Sequence, residues 1–301
     1  MTPPVLVGSA SRDLTAEDPR GWRLGGPATY AGLTLARLGL RPRVLLGVDA
    51  EAAGAEELDW LRAAGADLRL VRLGAGPVFE NHERPDGRVQ ISGGPGDQIA
   101  VGLPDGWEAA SAWLLLPVAG ELPDAWAEVP APSAFVGLGW QGLLRKLPPG
   151  GVVQRRRPAP CPLLARADLV VVSRFDVEPE TRIDEMLGLL RRPATLVLTD
   201  GEDGGLIAER DVAGAAHLRR YPAIAARRVV DQTGAGDVFL AALAAARLGR
   251  SAVGSGRNGA EIRFAAAVAS LSVEAAGLAG IPTVAAVVAR LSSSTGPPPG
   301  G

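Results

Sequence analysis

Short apolar runs alternate with stretches of helical apolar spacing along most of the chain. Val5 to Gly8 reads as a buried strand. Ala28 to Leu38 places apolar residues at helical spacing and stops at Gly39, the pattern of a helix with a glycine end. Arg43 to Val48 follows as a strand, Glu51 to Ala64 as a helix closed by Gly65, and Leu68 to Leu73 as a strand. Farther on, Ala112 to Leu116, Ala134 to Leu138, Leu169 to Val172 and Thr195 to Thr199 are short and rich in Val or Leu, with helical spacing over Ile183 to Arg191. Uniformly apolar strands alternating with helices predict an α/β fold, a mostly parallel sheet covered on both faces. From Gly236 to Leu291 the pattern is alanine-rich helix, broken at Gly249 to Gly259 and at Gly280-Ile281-Pro282. Residues 1–291 read as one domain and 292–301 as a disordered tail.

One segment breaks this rhythm. Pro77 to Ile91 has two strand-like halves around Pro85-Asp86-Gly87, a hairpin turn signal. Both halves carry polar residues, which keeps the segment out of the core. It is either a small β flap outside the main sheet or an ordinary edge hairpin.

Composition then narrows the chemistry. The chain has 301 residues, 47% hydrophobic and 21% charged, with a formal net charge of -2. That balance gives no basic field for nucleic acid. No run approaches the length of a membrane-spanning helix and no signal peptide is expected, so the cytoplasm is the expected location. Lys and Arg total 31, yet Lys146 is the only lysine. Its context, LRKLPP, is neither a P-loop nor a protein-kinase lysine. Two histidines and Cys161 are too few and too scattered for a zinc site.

The strongest motif is Val230-Asp-Gln-Thr-Gly-Ala-Gly-Asp-Val-Phe-Leu240. Gly234, Ala235 and Gly236 turn the chain so that successive N–H groups point to one spot, and a helix beginning there adds partial positive charge. Asp237 sits on the rim of this anion hole. A carboxylate there suits a base that takes a proton from a hydroxyl attacking phosphorus. In an isolated G-x-G-D, the plain helix-cap reading would prevail; the full stretch is far more specific.

The stretch DQTGAGDVF resembles the D-T-x-G-A-G-D signature of the PfkB (ribokinase-like) carbohydrate kinases. Leu24-Gly-Gly-Pro-Ala-Thr-Tyr-Ala-Gly-Leu-Thr-Leu-Ala-Arg-Leu-Gly39 is similar to that family's N-terminal glycine-pair motif. The order of the elements between matches over residues 4 to 291. The resemblance implies a ribokinase-like sheet with a small β-strand lid, formed by segments near 12–24 and 76–96. It implies ATP-dependent phosphorylation of a hydroxyl on a small sugar or polyol, with Mg²⁺ and, in many members, K⁺. Asp237 would be the catalytic base over the Gly234–Gly236 hole. Asp13, Gly25, Gly26 and Tyr30 would line the substrate. Thr199, Gly201, Gly204 and Thr233 would lie along the nucleotide, and Asp231 would be near a monovalent cation. A homodimer through the lid is a further expectation.

Phe79-Glu80-Asn81, Gly87-Arg-Val-Gln90 and Gly137-Leu-Gly-Trp-Gln-Gly142 resemble the branch with myo-inositol kinases. Glu80, Asn81 and Gln141 would then read hydroxyls, or else be surface polar residues. Three positions depart from the family. Ser173-Arg-Phe-Asp176 stands where many members have N-x-x-E, leaving Asp176 to serve Mg²⁺ through water or to cap the next helix. Tyr30 replaces a frequent asparagine. A common asparagine near the adenine is replaced within Phe264 to Ala267. The alternatives are a polyol sensor with weakened catalysis on the same fold, and a nucleoside kinase. Gly254-Ser-Gly-Arg-Asn-Gly259 satisfies G-x-G-x-x-G but follows a helix, so it reads as a loop between helices. Arg155-Arg156-Arg157 reads as a solvated loop.

Overall fold

The computed structural model describes residues 2–84, 87–249 and 259–293. The first strands are β1 (Val5–Ser9), β2 (Ser11–Leu14), β3 (Trp22–Gly25), β4 (Arg43–Val48), β5 (Asp67–Arg72), β6 (Val78–Arg84), β7 (Gly87–Ser92) and β8 (Ala112–Leu116). The rest are β9 (Phe135–Gly139), β10 (Arg145–Lys146), β11 (Gly151–Val152), β12 (Gln154–Arg155), β13 (Leu169–Ser173), β14 (Ala194–Thr199), β15 (Gly205–Arg210) and β16 (Ala216–Tyr221). The helices are α1 (Pro27–Arg37), α2 (Glu57–Ala63), α3 (Pro162–Arg166), α4 (Ile183–Gly188), α5 (Ala235–Arg247), α6 (Ala260–Ser272) and α7 (Val284–Ser293).

Nine strands form the main sheet in the order β16-β15-β14-β13-β9-β8-β1-β4-β5. From β5 to β14 neighbours run parallel, and β15 and β16 add an antiparallel edge. Each parallel strand is sandwiched, so its side chains alternate between two cores. Leu6 faces the core under α1, α5 and α6, while Val5 and Val7 face the one containing Trp113, Trp126, Leu163 and Met186. That explains the unbroken apolar strands of the sequence.

A second sheet, in the order β11-β7-β6-β2-β3, stands apart from the main one. The hairpin at 77–91 belongs to it. The segment is therefore a flap and not an edge of the main sheet, and the turn residues Pro85 and Asp86 lie outside the described residues. Arg12 and Arg20 fasten this sheet at its base. Arg12 donates to Asp49 (2.9 Å) and Glu51 (2.8 Å), and Arg20 donates to both oxygens of Glu57 at 2.8 and 2.5 Å. The Trp22 ring centroid lies 5.8 Å from the Arg12 guanidinium and 4.6 Å from that of Arg20.

Three boundaries differ from the sequence reading. The helix expected over 51–64 is split: a 3₁₀ turn at Ala52–Gly54 gives way to extended Ala55, and α2 starts at Glu57. Asp49 caps the start of that first turn by accepting the N–H of Ala52. Helix α4 stops at Gly188, before Arg191. Helix α7 takes in Ser292 and Ser293, while the rest of the expected tail lies outside the described residues, as does most of Gly254 to Gly259.

Candidate active site

In a parallel sheet the loops after the strands' C-terminal ends meet along one edge, and ligands bind there. Ser9, Asp49, Ser173 and Thr199 stand at or just past those ends. The flap sheet grows directly out of the same edge, because β2 begins two residues after β1 ends.

The glycine-rich turn enters α5 through Gly234, whose φ of 76° is left-handed. A methyl group on Gly234 would sit 2.4 Å from the ring of Tyr30, so this position has room for hydrogen only. Tyr30 is 2% exposed and acts as the floor of the turn. Burial, and then the charges of Asp13, Asp231 and Asp237, hold its phenol well above the usual range. Asp231 staples the turn from the other side, accepting the N–H groups of Thr233 and Gly277, each at 2.9 Å. A Cβ on Gly236 would meet nothing, so its backbone faces open space.

Asp237 lies in the first turn of α5, half-buried. A helix N-terminus by itself would favour the ionised form. Burial instead pushes the carboxyl up to about 7. The negative charge of Asp176 adds to this, Arg145 opposes it, and Asp13 adds a little more. These four groups therefore share one electrostatic neighbourhood. A carboxyl poised there switches between proton acceptor and donor near neutral pH.

Asp176 is 12% exposed. It accepts from Gln141 Nε2 at 3.1 Å and from Arg145 Nη2 at 3.1 Å. Gln141 thus faces Asp176. The glycine pair is explained by close approach. A Cβ on Gly25 would fall 2.2 Å from Asp13 Oδ2, and one on Gly26 (φ 99°) would fall 2.5 Å from Ser9 O. Asp13 also accepts from Ser11 Oγ at 2.9 Å.

Strand alternation sorts the flap residues. Phe79 is 2% exposed and packs inward with Val118 and Ala119, and Asp13 is its register neighbour. Asn81 shares that inner face and accepts from Gln90 Nε2 at 2.8 Å. Glu80 lies on the outer face, 44% exposed, 3.1 Å from His82. The structure therefore brings Asn81 toward the cleft and turns Glu80 away from it.

On the sheet's other side, Thr199 is half-buried, with Oγ1 3.5 Å from Val172 O. Gly201 is exposed at φ 55°. Gly204 is buried at φ 82°, where a Cβ would lie 2.1 Å from Tyr221 O.

Arg145 and Glu121 escaped the sequence reading, and Gln90 entered it only as the end of a motif, with no role. Arg145 carried no motif. Gln90 is found by pairing the hairpin about its turn, which sets it opposite Asn81. Glu121 is wholly buried and accepts N–H groups from Ser9, Val118 and Ala119. Burial raises its pKa against the pull of those bonds. It braces the end of β1 against the loop after β8, and nothing in its local sequence announces that.

A poised carboxylate in a glycine-rich turn at the sheet's ligand edge, beside a β flap, suits a phosphotransferase acting on a hydroxyl acceptor. Residues 157–284 match the family model described as "pfkB family carbohydrate kinase". That match lies in the C-terminal half of the chain, and the fold of the whole chain is ribokinase-like. No curated protein matches it significantly in sequence. Solved structures match over nearly the full length. A pyrophosphate-dependent kinase in the ribokinase family, complexed with a pyrophosphate analogue and myo-inositol, is 16% identical, with 96% of this chain and 99% of that one covered at a TM-score of 0.70. The nucleoside kinase of Burkholderia thailandensis in complex with inosine is 18% identical, covered 99% and 100%, at 0.68. Arabidopsis thaliana ribokinase complexed with ribose and ATP is 19% identical, covered 96% and 98%, at 0.66. At these identities the likeness is one of fold. Among the described residues no helix is long and apolar enough to cross a membrane.

Proposed function

We propose that this protein phosphorylates a hydroxyl of a small sugar or polyol, with Asp237 as general base. The observation that carries the reading is the position of Asp237. Its carboxyl is raised to about 7 within the fields of both Asp13 on the flap and Asp176 at the sheet edge. The acceptor would lie against the flap's inner face, held by Asp13, Asn81 and the backbone at Gly25 and Gly26. A carboxylate accepting from hydroxyls makes the stronger kind of hydrogen bond. The N–H groups of Gly234 and Gly236 would face the charge that builds on the transferred group, where preorganised donors act most strongly, while that of Ala235 donates within the turn to Gln232 O at 3.3 Å. Glu80, on the outer face, is left to the lid's surface, and Tyr30 to shaping the turn. A myo-inositol-like polyol is the acceptor we favour, since a kinase of the same fold is complexed with myo-inositol.

ATP is the donor we assign, with Thr199, Gly201 and Thr233 along the nucleotide and Gly204 shaping the turn between them. A pyrophosphate-dependent kinase shares the fold, which favours testing pyrophosphate beside ATP. Asp176 would hold a hydrated magnesium ion, whose chemistry here is charge neutralisation on the donor phosphates. Its carboxylate suits an outer-shell role. Among the described residues there is no group of three or more acidic, His or Cys side chains to cage a metal, and Mg²⁺ readily keeps its waters. A potassium ion near Asp231 would use lone pairs left by the Thr233 and Gly277 bonds. Leu14 and Val152, exposed on the flap, are where a homodimer would form.

The test is acceptor-dependent release of ADP, or of phosphate when pyrophosphate is the donor, across a panel of polyols, pentoses and nucleosides. Release with a polyol supports the reading. Polyol binding without release under either donor would establish the sensor reading instead.

A further inference from the structure

We propose that Arg145 is a catalytic residue whose guanidinium meets the phosphoryl group during transfer, and that Phe79 of the flap and Asp176 set its position. This rests on the kinase reading above. The chain must place positive charge at the phosphoryl group almost without lysine, since Lys146 is the only one and its side chain is exposed. Arg145 is the arginine that the site itself offers. It is 11% exposed, it donates to Asp176, and it lies close enough to Asp237 to oppose the rise in that carboxyl's pKa.

Its donors are mostly unspent. A guanidinium carries five N–H groups. Among the described residues Arg145 uses one, on Asp176, and none of its nitrogens is sealed without a partner. The planar fork suits phosphoryl oxygens. Phe79 holds the other side, with its ring centroid 5.9 Å from the guanidinium carbon. Phe79 shares the flap face that carries Asp13 and Asn81, so a flap seated on its acceptor fixes Arg145 as well.

Three other arginines bond to groups that the site does not use. Arg155 is exposed and donates to Phe175 O, Arg157 donates to Glu178, and Arg23 donates to Glu17. Arg174 has a nitrogen without a partner, but that atom is sealed from solvent.

In the step itself the acceptor oxygen bonds to phosphorus as the bond from phosphorus to the donor's leaving oxygen breaks. The leaving oxygen keeps that electron pair, and the acceptor's proton passes to Asp237. Arg145 changes no covalent bond and donates hydrogen bonds to the phosphoryl oxygens in flight.

The experiment is steady-state kinetics on Arg145→Ala, Arg145→Lys, Phe79→Leu and the double variant Arg145→Ala/Phe79→Leu. Donor and acceptor are varied separately, with and without millimolar guanidinium ion. Removing one preorganised donor group of this kind typically costs about a hundredfold or more in kcat. Arg145→Ala is expected to lose that much kcat, keep its acceptor KM, and recover part of the loss with guanidinium. Phe79→Leu is expected to lower kcat only while Arg145 is present, which the double variant reads. Arg145→Lys keeps the charge and the Asp176 pair but loses the fork. It is expected to lose about tenfold or more in kcat, and it decides the case if Arg145→Ala does not fold. Near-wild-type kcat in Arg145→Lys, or a loss in Arg145→Ala that appears only in thermal stability and is not rescued, would overturn the proposal. Absence of turnover in the wild type under both donors would instead overturn the kinase reading and this proposal with it.

Discussion

Replacing Asp237 by Asn should separate catalysis from stability at a single atom. The substitution keeps the shape and removes the charge. General-base assistance is worth about a hundred- to ten-thousand-fold, so turnover should fall by that factor while polyol binding persists. Stability should move the other way. The carboxyl rises from 3.8 to about 7 in the folded protein, so ionising it there is costly. Over roughly three pH units, at about 1.4 kcal/mol each, the upper bound is about 4 kcal/mol. The group keeps some contact with solvent, and halving for that screening leaves about 2 kcal/mol. The sign follows from proton binding. Between pH 3.8 and about 7 the folded state holds the proton that the unfolded state has released, so wild-type stability falls as pH rises across that window. Asn has no such term. At pH 8 the variant should therefore melt above the wild type, by about 4 °C for a chain of this size. Near pH 4 the difference should vanish. Differential scanning calorimetry at pH 4, 6 and 8, paired with turnover at pH 8, reads both halves. A variant that is as active as the wild type, or less stable at pH 8 than at pH 4 relative to it, would refute the reasoning.

Further expectations follow from the same geometry. The kcat/KM of the wild type should fall about tenfold per unit of pH below about 7, as Asp237 takes up a proton, and a pH–rate profile checks it. Gly234→Ala adds a methyl 2.4 Å from the Tyr30 ring at φ 76°. It should cost about 3 kcal/mol in urea unfolding, combining backbone strain with overpacking. Arg20→Ala leaves the buried carboxylate of Glu57 unpaired. Burial raises that carboxyl but Arg20 outweighs it, and the net pKa is lowered, so the pair stabilises above the usual carboxylate range and the benefit is lost as pH falls. The variant should lose about 2–3 kcal/mol at pH 7, and less at pH 3. Asn81→Leu, on the flap's inner face, should raise the acceptor KM about tenfold while leaving the donor KM alone; Glu80→Leu, on the outer face, should change neither.

The fold was largely legible because the parallel strands are buried on both faces. Val5, Leu6 and Val7 need no polar alternation, and a short β-branched run of this kind fits a central strand. The hairpin β15–β16 was missed because five of the six residues of β16 are exposed and four of those are polar or small, giving no apolar face to find. The signature turn was legible because Gly234 and Gly26 each stand where a side chain would collide, so their identity records a close approach. Arg145 was not legible. Its place is set by tertiary contacts with Phe79 and Asp176, 66 residues before it and 31 after it, and sequence spacing carries no trace of them. Alternation within the flap also separates Asn81 from Glu80, but only once Phe79 is known to face inward.

The central claim is that this chain makes a phosphate ester of a polyol. Phosphorus NMR of the purified protein, incubated with Mg²⁺, myo-inositol or a related polyol, and either ATP or pyrophosphate, tests it most directly. A new phosphate monoester resonance that is absent with Asp237→Asn is the expected result. No ester from any polyol, pentose or nucleoside with either donor would contradict the account.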